Sequence, residues 1–140
     1  MKKIASLCCF ISILFFAKAQ ETSVEKGKSV YVEQVSANNE VKDYSADIKD
    51  HLNDWGYWKL ASDKNTADYV FKVNVDSKKG ITATSWGGQT VITNVAILSP
   101  KGDVLYQSEK YEASPNGLNG FNGGRASIKK LFRAIRKKFK

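Results

Sequence analysis

Residues 67–76, ADYVFKVNVD, have the alternating pattern of a β-strand that buries one face and exposes the other. The side chains of a strand point to opposite sides in turn, so every second residue shares a face. The apolar face holds Tyr69, Phe71, Val73 and Val75. Val70 is the one exception to the alternation. The sequence therefore predicts a strand here, with a polar turn before it and Gly80 after it.

Downstream of this strand, two more segments have strand character. Residues 90–98 are rich in β-branched side chains, and residues 104–111 return after a turn that contains Pro100 and Gly102. This pattern predicts a hairpin. Residues 81–86 are compatible with another strand, but two glycines follow them and leave the point open. Upstream, residues 29–35 predict a first strand, and a short strand is expected at residues 57–61.

Two segments repeat their apolar residues at helical spacing. The first predicted helix begins near Asp43, a plausible N-cap, and ends at Gly56, which suits the left-handed position after a helix. Its apolar stripe is Val41, Tyr44, Ile48, Leu52 and Trp55. The second begins at about Arg125, after an Asn-Gly loop over residues 116–124. Its apolar stripe is Ile128, Leu131, Phe132, Ile135 and Phe139.

The order of these elements is β-α-β-β-(β)-β-β-α, with the strands in a run between two helices. A parallel, doubly wound sheet needs helices that alternate with strands, and this chain lacks that alternation. The sequence therefore predicts an α+β fold: a mostly antiparallel sheet of about five strands with two helices packed on one face. The aromatic side chains are expected to fill the space between the layers.

The N-terminus has the pattern of an export signal. Two lysines follow Met1, residues 4–16 are nearly all apolar, and Ala17 and Ala19 provide small residues for a signal peptidase. A membrane anchor is the alternative, but about 13 apolar residues make only about 20 Å of helix. We expect cleavage after Ala19, with a signal peptide over residues 1–19, a disordered lead over 20–28 and one domain over 29–140. The predicted location is periplasmic or secreted.

The positive charge is concentrated in one element. Removal of Lys2, Lys3 and Lys18 with the signal lowers the net charge from +8 to +5. Residues 125–140 alone carry eight positive charges and no acid, so residues 20–124 have a net charge of −3. Both cysteines, Cys8 and Cys9, leave with the signal; lipidation there is disfavoured because Leu7 precedes them.

Few residues offer catalytic or metal chemistry, so we predict a non-enzymatic protein without a cofactor. His51 is the only histidine, and no HxxxH or CxxC spacing provides a zinc site. Asp47, Asp50 and Asp54 lie in series on the first helix, where they are expected to form a solvated outer face. The alternative is a carboxylate-based, glycosidase-like hydrolase whose acids converge only in the fold.

The basic C-terminal helix is the best candidate for a binding surface, because cations near its N-terminal end oppose the helix dipole and are not explained by folding. The simpler alternative is that the apolar stripe docks on the sheet and the basic face is only solvated. The candidate residues are Arg125, Lys129, Lys130, Arg133, Arg136 and Lys137. Leu118 and Phe121 of the Asn-Gly loop are further candidates, although packing of both onto the domain is the favoured expectation. Trp86 beside two glycines is also a candidate, with packing across the sheet as the favoured expectation.

The predicted partner is an envelope protein or an anionic envelope polymer or lipid. Nucleic acid is not expected, since the protein is predicted to be exported and no groove-reading motif accompanies the charge. A cationic protein that acts on membranes is a further alternative, because Phe132 and Phe139 opposite lysines also describe an interfacial helix.

Three short motifs carry a resemblance to a known group of proteins. They are Trp55-Gly56-Tyr57-Trp58 at a helix end, Ala67-Asp68-Tyr69-Val70 at a strand start, and Pro100-Lys101-Gly102-Asp103 in the hairpin. With the order of elements, they resemble small bacterial envelope domains: the N-terminal domain of TolB and the activator lipoproteins of penicillin-binding proteins. The resemblance spans about residues 29–140 and implies an accessory or binding role. The chain departs from the lipoproteins because it has no usable lipobox.

Overall fold

A computed structural model of the chain describes residues 23–38, 41–79, 88–119 and 122–140. The elements are β1 (Ser29–Ser36), α1 (Ser45–Trp55), β2 (Lys59–Leu60), β3 (Tyr69–Lys79), β4 (Gln89–Leu98), β5 (Val104–Gln107), β6 (Tyr111–Ala113), a short 3-10 helix (Gly117–Asn119) and α2 (Gly123–Lys138). Several predictions fall outside the described residues. They are the signal peptide, its cleavage site, the strand at residues 81–86, and the candidates Trp86 and Phe121. No helix in the described part of the chain is long and apolar enough to cross a membrane.

The strands form one mixed sheet in the order β2-β1-β3-β4-β5, and β6 also pairs with β4. The α+β class and the approximate number of strands are confirmed. The pairs that involve β4 are antiparallel. The pairs of β1 with β2 and with β3 are parallel, because α1 carries the chain back to the end of the sheet at which β1 begins.

The core lies between the sheet and the two helices, as the alternation and the helical stripes predict. Phe71, Val73 and Val75 of β3 are buried, as are the apolar stripes of both helices near their centres. Phe71 stacks on Phe132 of α2 with ring centroids 5.9 Å apart. Both helices therefore bury their apolar faces on the same side of the sheet.

The sequence predicted the C-terminal end of α1 correctly but not its N-terminal cap. Gly56 has the expected left-handed backbone, with φ of 63°, and its N–H donates to the Leu52 carbonyl. The Asp43 prediction is wrong, because Tyr44 is the N-cap and makes no side-chain cap hydrogen bond. Asp43 lies one residue earlier, and its carboxylate accepts hydrogen bonds from the N–H and the hydroxyl of Ser45. These bonds lower the pKa of the Asp43 carboxyl.

The return strand of the predicted hairpin is two strands rather than one. β5 and β6 pair with different parts of β4, and Ser108 lies between them. The Ser108 hydroxyl accepts a hydrogen bond from the Val95 N–H at 2.9 Å, so a side chain takes the place of a backbone acceptor. Val95 therefore stays paired although the ladder is interrupted there.

Residues 23–28 pack on the domain, whereas the sequence predicted a disordered lead. Val24 is 6% exposed and belongs to the core. The Trp58 indole N–H donates to the Glu25 carbonyl at 2.9 Å, and the Gly27 N–H donates to the Tyr57 carbonyl at 2.8 Å. The sequence did not predict this packing, because Val24 is a single apolar residue in a short polar segment, and one residue shows no helical or strand periodicity.

Candidate binding surface

The N-terminal end of α2 is fixed against the rest of the molecule. Asn122 caps the helix, since its side-chain oxygen accepts a hydrogen bond from the Arg125 N–H at 2.9 Å. The Ser127 hydroxyl donates to the Tyr111 carbonyl at 2.6 Å and also bonds the Thr93 hydroxyl at 2.7 Å. Gly124 lies directly against the Tyr44 ring of the segment before α1. The charged residues of this end of α2 are therefore held on a rigid base.

Five predicted candidates meet at one surface, which we name the basic depression. It has a volume of about 470 Å³ and opens to solvent beside the first half of α2. Its lining residues are Leu118, Arg125, Ala126, Lys129, Lys130 and Arg133. The favoured expectation, that Leu118 packs onto the domain, is wrong, because its side chain is 100% exposed. The basic depression therefore combines cations with an apolar side chain that has no cover within the described residues.

Most of the cations of the basic depression form no ion pair with an acid of the described residues. Arg125 is the exception, because its Nε lies 3.2 Å from a carboxylate oxygen of Asp47. Lys130 donates to the backbone carbonyl of Glu112 at 2.7 Å, which positions its ammonium group but does not cancel its charge. Lys129 and Arg133 are exposed and form no ion pair with any described residue.

The remaining predicted candidates lie elsewhere. Arg136 faces α1 and donates from a terminal guanidinium nitrogen to the His51 carbonyl at 2.9 Å. Its Nε is buried without a hydrogen-bond partner among the described residues. Arg136 therefore supports the contact between the helices rather than an outer surface. Lys137 is exposed in the last turn of α2 but does not line the basic depression.

A second, smaller depression of about 190 Å³ lies between the two helices. Its lining residues are Asp47, Asp50, His51, Asp54, Arg125, Ile128 and Lys129. The expectation of a fully solvated acidic face is wrong for Asp47, whose side chain is 26% exposed and pairs with Arg125. Asp50 and Asp54 are exposed as expected. The space is below the range of about 300–1,000 Å³ that is usual for small-molecule sites.

His51 packs as a structural residue at the edge of this second depression. Its ring stacks on Phe132 with centroids 4.8 Å apart and an interplanar angle of 24°. Burial lowers the pKa of His51 below its usual value of 6.5, and the positive charge of Arg136 lowers it further. The carboxylates of α1 act in the opposite direction with smaller effect. His51 is therefore favoured in its neutral form.

The face of the sheet away from the helices has a depression that the sequence did not suggest. It has a volume of about 370 Å³, and Asn74 and Asn94, paired across β3 and β4, lie on its floor. Asp76, Lys78, Lys110 and Glu112 surround them with charges of both signs. Alternation along β3 predicted polar residues on this face, but only the strand pairing shows which of them meet. Among the described residues, no group of three or more His, Cys, Asp or Glu side chains is placed to hold a metal ion.

No protein-family model and no curated protein sequence matches this chain. The chain is similar to several solved structures. The PelC dodecamer from Paraburkholderia phytofirmans is 14% identical, with a TM-score of 0.57 over 81% of this chain and 90% of that one. A minor lipoprotein from Acinetobacter baumannii is 17% identical, with a TM-score of 0.46 over 79% of this chain and 89% of that one.

The first likeness shows the fold. At 14% identity it assigns no function to individual residues. Neither the TolB domain nor a penicillin-binding-protein activator is among the structures described above. The resemblance to those two groups stays a prediction from the three sequence motifs.

Proposed function

We propose that this protein is an exported, non-enzymatic accessory protein of the bacterial cell envelope, and that it binds an anionic partner through the basic depression. The observation that carries the proposal is that Lys129 and Arg133 are exposed and unpaired within the described residues beside Lys130, on one concave surface. A partner that presents carboxylate or phosphate groups has the complementary charge.

Folding alone does not account for these cations. Positive charges near the N-terminal end of a helix oppose the helix dipole, which costs several tenths of a kcal/mol up to about 1 kcal/mol each. Arg125 lies in the first turn of α2, and Asp47 offsets its charge. Lys129 and Lys130 follow in the next turn, where the dipole has little effect. Lys129 and Arg133 are like charges at i,i+4, however, and such a pair destabilises a helix. No acid of the same helix offsets them. An external anion would stabilise them.

Leu118 adds an apolar contact at the rim of the basic depression. A fully exposed leucine next to cations suits a partner that presents an apolar group beside its negative charges. Burial of one leucine side chain contributes roughly 1.5–3 kcal/mol. Leu118 therefore supports binding to a protein or an amphipathic molecule more than to a purely ionic polymer.

The proposed export rests on the signal-like N-terminus, with its basic start, short apolar run and small residues at positions 17 and 19. This support does not depend on the basic depression, so export and partner binding can be tested independently.

The binding proposal is tested by affinity capture from the envelope fraction of cells that express the protein. A variant with Lys129→Gln, Lys130→Gln and Arg133→Gln removes three charges of the basic depression. A control variant with Lys42→Gln, Lys79→Gln and Lys101→Gln removes three exposed charges elsewhere. The proposal predicts that the first variant loses a salt-sensitive partner and the control keeps it. Equal capture by both variants would contradict it.

A further inference from the structure

A cluster of partly exposed aromatic side chains lies where the C-terminus of α2 meets the loop after α1. Trp55 and Tyr57 stack with centroids 4.8 Å apart, and Phe139 approaches Tyr57 at 6.0 Å. Trp58 lies beneath them, 5.5 Å from Phe139, and is buried. Trp55, Tyr57 and Phe139 each keep part of their surface in solvent.

Lysines lie beside this cluster. The Lys26 ammonium lies 5.9 Å from the centre of the Tyr57 ring. Lys137, Lys138 and Lys140 adjoin Phe139 at the end of α2 and are also exposed. Together with the three exposed rings, these lysines form what we name the aromatic-lysine end.

Among the described residues, three carboxylates lie beside the aromatic-lysine end, and the lysines outnumber them. Glu25 is engaged by Lys28 at 3.5 Å. Asp54 precedes Trp55 in the chain. Glu109 acts electrostatically on Tyr106, whose ring lies 5.1 Å from Phe139. The aromatic-lysine end therefore keeps a net positive charge.

We propose that the aromatic-lysine end rests on a bilayer that contains anionic phospholipids. Tryptophan and tyrosine are favoured at the level of lipid headgroups, because one part of each ring system is apolar and another part is polar. Lysines beside them are attracted to anionic headgroups, each by about 1 kcal/mol near the surface, which is about fivefold in partitioning. This contact goes beyond the proposed function and uses a different part of the molecule. Arg125 and Phe139 are separated by about 20 Å along α2.

The test is co-sedimentation with vesicles at low salt, with phosphatidylcholine alone and with phosphatidylcholine mixed with phosphatidylglycerol. The protein is used as the expressing cells process it, and intact mass confirms that all variants share one N-terminus. The variant Lys137→Gln, Lys138→Gln, Lys140→Gln removes three charges of the aromatic-lysine end. The matched control is Lys129→Gln, Lys130→Gln, Arg133→Gln, which removes three charges of the basic depression.

The proposal predicts binding only to the vesicles with phosphatidylglycerol, reduced about a hundredfold in the first variant and much less in the control. Brominated lipids should quench the tryptophan fluorescence of the bound protein, and Trp55→Phe should remove most of that quenching. No binding of the unchanged protein, an equal loss in both variants, or quenching unchanged by Trp55→Phe would each overturn the proposal. If the control variant loses partner capture but still binds vesicles, the basic depression binds the partner, and the contact of the aromatic-lysine end with the bilayer is a separate one.

Discussion

At the scale of single residues, Gly124 shows why α2 can lie so close to the segment before α1. A Cβ built on Gly124 would overlap the Tyr44 ring, which is itself buried in the core. The neighbouring Gly123 is similarly confined, with the Ala113 carbonyl oxygen 2.8 Å from a Cβ placed there. The two glycines that the sequence assigned to a flexible loop thus form the first turn of α2 and permit close packing.

We therefore expect Gly124→Ala to destabilise the protein by about 1–3 kcal/mol, because the added methyl group forces the Tyr44 ring to move. Alanine would otherwise favour a helix by nearly 1 kcal/mol over glycine, so the sign of the effect is informative. Urea unfolding measures it. Gly117→Ala is the control, since a Cβ at Gly117 meets no atom within 4 Å. A stabilising Gly124→Ala would contradict the packing described here.

A second prediction at this scale concerns the response of His51 to pH. Its folded-state pKa lies below 6.5, so the unfolded chain binds a proton more readily than the folded one. The free energy of unfolding should therefore fall as the pH decreases through 6.5 and level off below the folded-state pKa. His51→Gln should flatten this part of the stability curve. The lowered pKa values of the Asp43 and Asp68 carboxyls affect the free energy of unfolding in a separate pH range, below about pH 4. A slope near pH 6 that persists in His51→Gln would exclude His51 as its source.

At the scale of elements, α2 is the part of the structure on which the basic depression depends. Its buried stripe packs on the sheet, and Ser127 fixes its rotation through polar contacts in an otherwise apolar interior. Thr93 and Ser127 are both fully buried, so their hydroxyl groups have no access to water as an alternative partner. The orientation of the exposed cations is thus set by groups on the opposite side of the helix.

The Thr93 and Ser127 pair leads to a prediction about stability. We expect Ser127→Ala to cost about 1–3 kcal/mol, because the buried Thr93 hydroxyl loses its partner. Thr93→Val should cost less, since the Ser127 hydroxyl keeps its bond to the Tyr111 carbonyl. The double variant should cost less than the sum of the two single ones. Strict additivity in chemical denaturation would contradict direct coupling between these hydroxyl groups.

At the scale of the whole molecule, positive charge gathers on one helix, while the core holds apolar side chains with the aromatic rings of Tyr44, Trp58, Phe71 and Phe132. The sequence predicted this segregation, because the cations occupy the positions of α2 that its apolar stripe leaves free. The alternation along residues 69–75 and the stripes of both helices predicted the core face correctly. These features were predictable because the buried face of a strand or helix follows from the spacing of its own apolar residues.

Contacts between distant parts of the chain account for what the sequence did not predict. The parallel pairing of β1 with β3 joins residues about 40 positions apart, and no local pattern encodes it. Arg136 has the same spacing as the surface cations, yet α1 lies beside it and accepts its hydrogen bond. The ion pair of Arg125 with Asp47 likewise links two helices that are far apart in sequence. Composition identified α2 as the basic helix, whereas tertiary packing decides which of its cations remain unpaired among the described residues.

Site-specific photo-crosslinking in living cells tests most directly whether the basic depression is an interaction surface. A crosslinking residue replaces Leu118, which is 100% exposed and lines the basic depression, or Val104, which is 59% exposed at the start of β5. We predict a discrete adduct from position 118 that disappears with Lys129→Gln, Lys130→Gln and Arg133→Gln, and no such adduct from position 104. An adduct from position 104 alone, or one from position 118 that is indifferent to the three substitutions, would contradict the account.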